Sequence, residues 1–320
     1  MIKPVSMFLR RQNVSLYTQN VESSQMATYY ITGTNAFHAD FQSGNGKDYI
    51  YGDDAENNIN GGYDVDRIFG YGGNDYLDGG SHGDTIYGGT GDDTLTGGNE
   101  PTTIAGDSLF GEDGVDSIWG GNGNDRIYGG AGNDDMLAGE NDNDTIQGDA
   151  GDDYIWGGSG NDTLYGDDPS NTSTVTGNDY MRGGDGDDKI YGGPGNDKLQ
   201  GELGADMLTG GAGSDTFIFA TIDASTLGLP DTITDFVQGA TATGREVLDF
   251  SFIDANLNVA GDQAFTFVNT GGFANDGIAR VRQFQSGTDT FVQADRGDGV
   301  ADLSVKLNGS YVLMLSDFVL

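Results

Sequence analysis

Aspartate returns at a nearly constant interval of nine residues through more than half of this 320-residue chain. The series runs Asp48, Asp66, Asp75, Asp84, Asp93, Asp107, Asp116, Asp125, Asp134, Asp144, Asp153, Asp162, Asp179, Asp188, Asp197, Asp206 and Asp215, and only Asn57 breaks it. A carboxylate at one fixed phase is a hard oxygen donor. The chain has no cysteine and two histidines, so it has almost no softer donors to compete. Oxygen donors on flexible glycine-rich segments suit Ca²⁺ far better than Zn²⁺ or a redox metal. The candidate chemistry is therefore the binding of several calcium ions.

The elements that position these carboxylates follow from the rest of the unit. Its consensus is G-G-x-G-x-D-x-U-x with U a large apolar residue, as in Gly88-Gly89-Thr90-Gly91-Asp92-Asp93-Thr94-Leu95-Thr96, and about eighteen units occur. Six residues rich in Gly and ending in Asp form a tight loop. The last three alternate out, in, out, which is the shortest strand. The inward position holds Ile50, Ile59, Ile68, Leu77, Ile86, Leu95, Leu109, Ile118, Ile127, Ile146, Ile155, Leu164, Met181, Ile190, Leu199, Leu208 and Phe217, with Met136 or Leu137 in one unit that is a residue too long. Two units make one turn of a flattened parallel coil, and the Asp side chains then stack in two columns on opposite edges. One apolar side chain per nine residues is too thin a core to offset the ordering of nine residues. Columns of like charge repel unless a cation sits between the rungs, so the cation is expected to hold the loops together.

These units resemble the repeats-in-toxin (RTX) parallel β-roll of bacterial secreted proteins. The resemblance implies calcium held between successive loops of one edge by Asp carboxylates and loop carbonyls. The fold class expected is all-β, a parallel β-roll over 43–219 followed by an antiparallel β domain over 220–320. Residues 1–42 supply a leader and an N-terminal cap strand around Thr28–Thr32, with Phe37 and Phe41 closing the first coil. Residues 1–25 carry Lys3, Arg10 and Arg11 but no apolar run of seven, so they are no Sec signal peptide. They read as an unstructured leader or as residues ahead of a start at Met26.

Departures from the consensus carry information. The fourth position is Asp64, His82 and Asp142 in three units, residue types that tolerate a left-handed backbone. The unit Gly52–Asn60 lacks both this Gly and the Asp, so its site is expected to be weak or empty. Insertions near Glu100–Thr103 and Pro169–Ser173 fall in loop halves and are expected to leave the strands in place. Position nine of the odd units holds Tyr51, Phe69, Tyr87, Phe110, Tyr128, Tyr165 and Tyr191, an outward ladder broken only by Gln147 and Thr209. It could stack on the sugar rings of an extended polysaccharide or dock a protein; alternatively its rings pack on one another.

After residue 219 the runs Phe265–Val268, Ile278–Phe284, Thr290–Gln293 and Leu303–Leu307 read as antiparallel strands, with a hairpin turn at Gln285–Thr288. Gly210–Phe217, Asp231–Phe236 and Asp298–Leu303 resemble the C-terminal domain of serralysin-type metalloproteases. The segment 239–250 departs from that pattern, leaves Asp249 in place and carries no calcium role over to Glu246. Leu315-Ser316-Asp317-Phe318-Val319-Leu320 resembles the uncleaved signal of type I secretion, which implies export to the medium. Deleting Asp317–Leu320 is expected to block export and leave the calcium response unchanged.

Catalysis is not expected. A zincin needs two His four apart with Glu between them, and only His38 and His82 exist. Gly79-Gly80-Ser81-His82-Gly83 matches G-x-S-x-G, but no His follows it to complete a triad. Asp295-Arg296-Gly297-Asp298-Gly299 reads as a turn. The net charge of −37 makes nucleic acid and anionic membranes poor partners, and no apolar run is long enough to cross a bilayer. Most of the excess Asp sits at the repeat positions, so the chain is expected to be disordered without calcium and ordered with it. The sequence thus points to a secreted, non-enzymatic calcium-binding module with the type I apparatus and an extracellular polysaccharide or cell surface as partners. The rival readings are an accessory module of a secreted epimerase or protease and, more weakly, a pore-former.

Overall fold

The computed structural model describes residues 28–30, 40–42, 46–99, 106–169, 176–220, 230–238, 244–253 and 264–320. They fall into two compact units, Met1–Gly157 and Gly158–Leu320. The leader, Phe37 and both insertions lie wholly or mostly outside the described residues.

In the first unit the chain alternates between two parallel sheets. One takes Thr28–Tyr30, Tyr49–Tyr51, Arg67–Gly72, Thr85–Thr90, Ser108–Asp113, Arg126–Ala131 and Thr145–Ala150 in that order. The other takes the intervening strands, from Asp40–Gln42 and Asn58–Tyr63 to Met136–Asn141. Partners lie two units apart, as in Ile50↔Ile68 and Ile68↔Ile86, and the same register carries Ile86 to Leu109 across the first insertion. Two units therefore make one turn. The strands extend over six residues in most units, since the Gly-Gly of the next unit continues the ladder. Every inward Ile or Leu of this unit is fully buried, and Leu137 takes the place in the overlong unit. There the extra residue is absorbed at Asp135, whose N–H donates to Asp116 O at 3.0 Å while Met136 pairs with Ser117.

The odd-sheet aromatics pack on one another. Ring centroids of Tyr30, Tyr51, Phe69, Tyr87, Phe110 and Tyr128 follow at 4.8–5.0 Å with near-parallel planes. That spacing is the strand spacing itself, so each inner ring has both faces covered by its neighbours. The packing alternative holds, and stacking of sugars on the ring faces is closed off along the ladder.

The second unit repeats the pattern and then extends it. Thr163↔Lys189 and Tyr165↔Tyr191 preserve the two-unit register across the second insertion. Strands Asp231–Ile233 and Val247–Asp249 pair in parallel with Met207–Ala212 and Thr216–Ile218, so each sheet gains a rung beyond the visible repeats. Leu303–Leu307 joins Asp231–Ile233 in parallel and pairs antiparallel with Asp289–Asp295, which forms a two-residue hairpin with Arg280–Ser286 across Gly287-Thr288. Thr266–Phe267 pairs in parallel with Arg280–Ser286, against the antiparallel expectation for that run. Phe318–Val319 closes the other sheet beside Val247–Asp249, and Phe318 packs against Phe250 and Phe267.

Candidate metal centre

Each site starts from the loop backbone. In the unit beginning at Gly88, positions two and four are Gly89 and Gly91 with φ of 117° and 129°, a region L-residues rarely adopt. Asp64, His82 and Asp142 take the same left-handed turn at position four, at 72°, 85° and 75°. Position one requires glycine for a different reason. A Cβ on Gly88 would meet Asp93 Oδ2 at 2.4 Å and Gly111 O at 2.8 Å. The loop is thus wound so that the carboxylate lies over glycine, close to a carbonyl of the next rung.

All seventeen aspartates of the series are buried. They stand in two columns, as the alternation of units demands. On the odd edge of the first unit Asp48 N–H donates to Asp66 Oδ1 at 2.7 Å, and Asp66 N–H to Asp84 Oδ1 at 2.6 Å. The even edge repeats this from Asp75 to Asp93, from Asp93 to Asp116 and from Asp116 to Asp134, at 2.7–2.9 Å. In the second unit Asp188 N–H donates to Asp206 Oδ1 and Asp197 N–H to Asp215 Oδ1, both at 2.9 Å. One carboxylate oxygen is spent on the rung before it.

The other oxygen is not. Oδ2 of Asp66, Asp75, Asp93, Asp116, Asp134, Asp188, Asp197, Asp206 and Asp215 is buried and accepts no hydrogen bond. Burial pushes the carboxyls of Asp66, Asp188 and Asp197 up to about 8, and those of Asp75, Asp93 and Asp134 up to about 7. Neighbouring aspartates add to the rise and the backbone N–H bonds oppose it. A buried anionic oxygen without a donor needs either a proton or a cation. Oxygen-only donors, a loop with no bulky side chain and repetition along an edge fit a hard cation of calcium type.

Two features were not legible in the repeat consensus. Position five, read as variable, is Asn or Asp in ten of the eighteen units, and there its side chain can accept the position-five N–H of the following rung: Asp92 N–H donates to Asn74 Oδ1 and Val115 N–H to Asp92 Oδ1, both at 3.1 Å. This ladder runs opposite to that of position six. The columns also continue past the repeats. Asp206 N–H donates to Asp231 Oδ1 at 3.1 Å, and buried Glu246 precedes the strand paired with Thr216–Ile218, as Asp215 precedes Thr216. Glu246 accepts from Val237 N–H at 2.6 Å, and burial pushes its carboxyl up to about 8.

The acidic turn at Asp295 is built differently. Asp295 Oδ1 takes the N–H groups of Gly297, Asp298 and Gly299, and Asp302 pairs with Arg296 at 3.3 Å. Its carboxylates approach Asp298 and Asp302 within 4.8 Å, yet they are already met by the chain.

The model of the RTX calcium-binding nonapeptide repeat (4 copies) matches residues 42–77, 78–99, 102–136, 137–168, 174–208 and 182–217, together more than half of the chain. The chain belongs to the RTX calcium-binding repeat family. RTX nonapeptides bind Ca²⁺, and the regular buried aspartates fit multiple calcium sites. Among solved structures, the solution structure of the AlgE6R3 subunit of the Azotobacter vinelandii mannuronan C5-epimerase is similar at 27% identity, covering 57% of this chain and 80% of that one with a TM-score of 0.31. No curated protein matches. Among the described residues no helix is long and apolar enough to cross a membrane.

Proposed function

We propose that this chain is a non-enzymatic, extracellular RTX module that folds when calcium binds between its rungs, with the position-six aspartates from Asp48 to Asp215 as ligands. The observation that carries the reading is the row of buried Oδ2 atoms without donors on both edges. Energy gained from a cation that only the folded loops can hold becomes folding energy. At the roughly micromolar or lower free calcium of a cytoplasm such sites stay empty; extracellular modules of this kind work at about 0.1–1 mM.

Export through a type I apparatus completes the proposal, supported by the resemblance of the final residues to its signal. Asp317 and Phe318 are buried in the fold. Asp317 Oδ2 accepts from Met314 N–H at 2.8 Å and from the Gln238 amide at 3.0 Å. The tail is therefore offered to an exporter before folding, and calcium outside the cell hides it afterwards. The segment beyond residue 219 is the serralysin-like part of this proposal, and its target is an extracellular polysaccharide or cell surface.

The test is circular dichroism of chelator-treated protein at pH 7.5 during calcium titration. Sheet signal is expected to appear cooperatively with calcium. A full sheet spectrum in excess chelator would refute the proposal.

A further inference from the structure

The unit Gly52–Asn60 breaks the pattern in a way that changes what its loop needs. Neither Asp53 at position two nor Ala55 at position four has a positive φ, unlike Gly89 and Gly91 or Asp64 and His82 in other units of the same roll. The loop is rebuilt around its own side chains. Asn57 Oδ1 accepts from Asp53 N–H at 2.9 Å, and it lies against Gly52 as the Asp oxygens lie against their position-one glycines. Asn57 Nδ2 donates to Ala55 O at 2.7 Å and to Asp53 Oδ1 at 3.3 Å, and Ala55 N–H donates to Asp53 Oδ1 at 3.1 Å. Asn57 is as buried as the aspartates, at 3% exposure, yet both of its polar atoms have partners.

We infer that the Asn57 loop closes without a cation, its side-chain amide donating to the loop's own Ala55 carbonyl where loops such as those of Asp75 and Asp93 hold a buried carboxylate oxygen without a donor. The chemistry is an exchange of equals. A carbonyl oxygen facing a buried carboxylate needs positive charge between them, whereas a carbonyl facing an amide NH₂ is met by a neutral hydrogen bond. The rung stays in register all the same, since Asn57 N–H donates to Asp75 Oδ1 at 2.7 Å and Tyr76 N–H to Asn57 O at 2.8 Å. The even edge of the first unit thus begins with a rung whose closure is independent of calcium, ahead of rungs that depend on it. The inference rests on the reading of the aspartate loops as calcium sites.

Two measurements test it, with calcium alone as the probe. Anomalous scattering from crystals of the wild-type chain grown in calcium is expected to show ions at the Asp loops and none within about 2.3–2.6 Å, the Ca–O range, of Asn57 Oδ1 or Ala55 O. An ion there overturns the inference. Equilibrium dialysis of Asn57→Asp, which restores the carboxylate beside Asp53 and Glu56, is expected to give one more calcium per chain than the wild type. Unchanged stoichiometry in a folded variant overturns it too, and if the variant fails to fold the wild-type crystal decides. Absence of ions from every loop would instead defeat the calcium reading itself.

Discussion

Replacement of Asp116 separates the two tasks assigned to one carboxylate. Its Oδ1 accepts from Asp93 N–H at 2.8 Å, and its Oδ2 is buried with no donor. Asp116→Asn keeps an oxygen for Asp93 N–H and removes the charge; Asp116→Ala removes both. In the Ala variant a backbone N–H, on a residue only 2% exposed, loses its acceptor. Such an orphan costs about 1–3 kcal/mol, or roughly 5- to 150-fold in the folding equilibrium at fixed calcium, since about 1.4 kcal/mol is tenfold. Both variants are expected to raise the calcium midpoint through loss of a ligand, with the Ala variant higher. Because folding takes up several ions, the logarithm of the midpoint moves by the change in the logarithm of the equilibrium constant divided by the number of ions. The assay is urea unfolding by circular dichroism at fixed calcium for the wild type and both variants. If Ala and Asn variants agree within about 0.5 kcal/mol, well below the orphan cost, the Asp-to-backbone ladder contributes nothing and the argument fails. If the Asn variant keeps the wild-type midpoint, Oδ2 binds no cation.

Other outcomes follow from the same structure. Asp66, Asp75, Asp134, Asp188 and Asp197 have their carboxyls raised by burial to about 7–8 in the cation-free roll. An Asp titrates near 3.9 when unfolded, so protonation stabilises the folded state fully below that value and its contribution is lost as pH rises through about 7–8. Metal-free protein is therefore expected to gain sheet signal toward pH 4–5, and calcium binding to that protonated roll to release protons, measurable by calorimetry in buffers of different ionisation enthalpy; sheet content independent of pH would contradict this. The triple change of Tyr87, Phe110 and Tyr128 to Ser removes three stacked pairs. At about 0.5–1.5 kcal/mol each, it is expected to cost roughly 1.5–4.5 kcal/mol in urea unfolding. Retention of the folded variant on immobilised uronan is expected to match the wild type, and a drop without loss of stability would restore a sugar-stacking role. Truncation of Asp317–Leu320 removes buried Phe318, worth about 1.5–3 kcal/mol. It is thus expected to destabilise the calcium-loaded protein as well as to block export, contrary to the reading of the tail as a separable signal; an unchanged Tm with calcium would show the tail to be dispensable to the fold.

The repeat spelled out much of this protein because its physics is local and periodic. A glycine turn, an Asp and one apolar residue at fixed phase determine a loop, a ligand and an inward side chain, and repetition leaves a coil of two units per turn as the way to bury Ile50, Ile59, Ile68 and their successors together. The two columns and the choice of a hard cation were legible on the same ground. Tertiary structure decided what pattern alone leaves open. Position five serves a hydrogen-bond ladder because its partner lies a full turn away in space. Asp231 and Glu246 join the columns although no nonapeptide marks them, since strand pairing with Met207–Ala212 and Thr216–Ile218 is a contact across long sequence separation. The aromatic ladder packs on itself because parallel strands set its rings about 4.8 Å apart, which leaves no room for a sugar between them. Asn57 shows the same division: its place in the series announced a lost carboxylate, but only the folded loop showed its amide turned onto the carbonyl of Ala55.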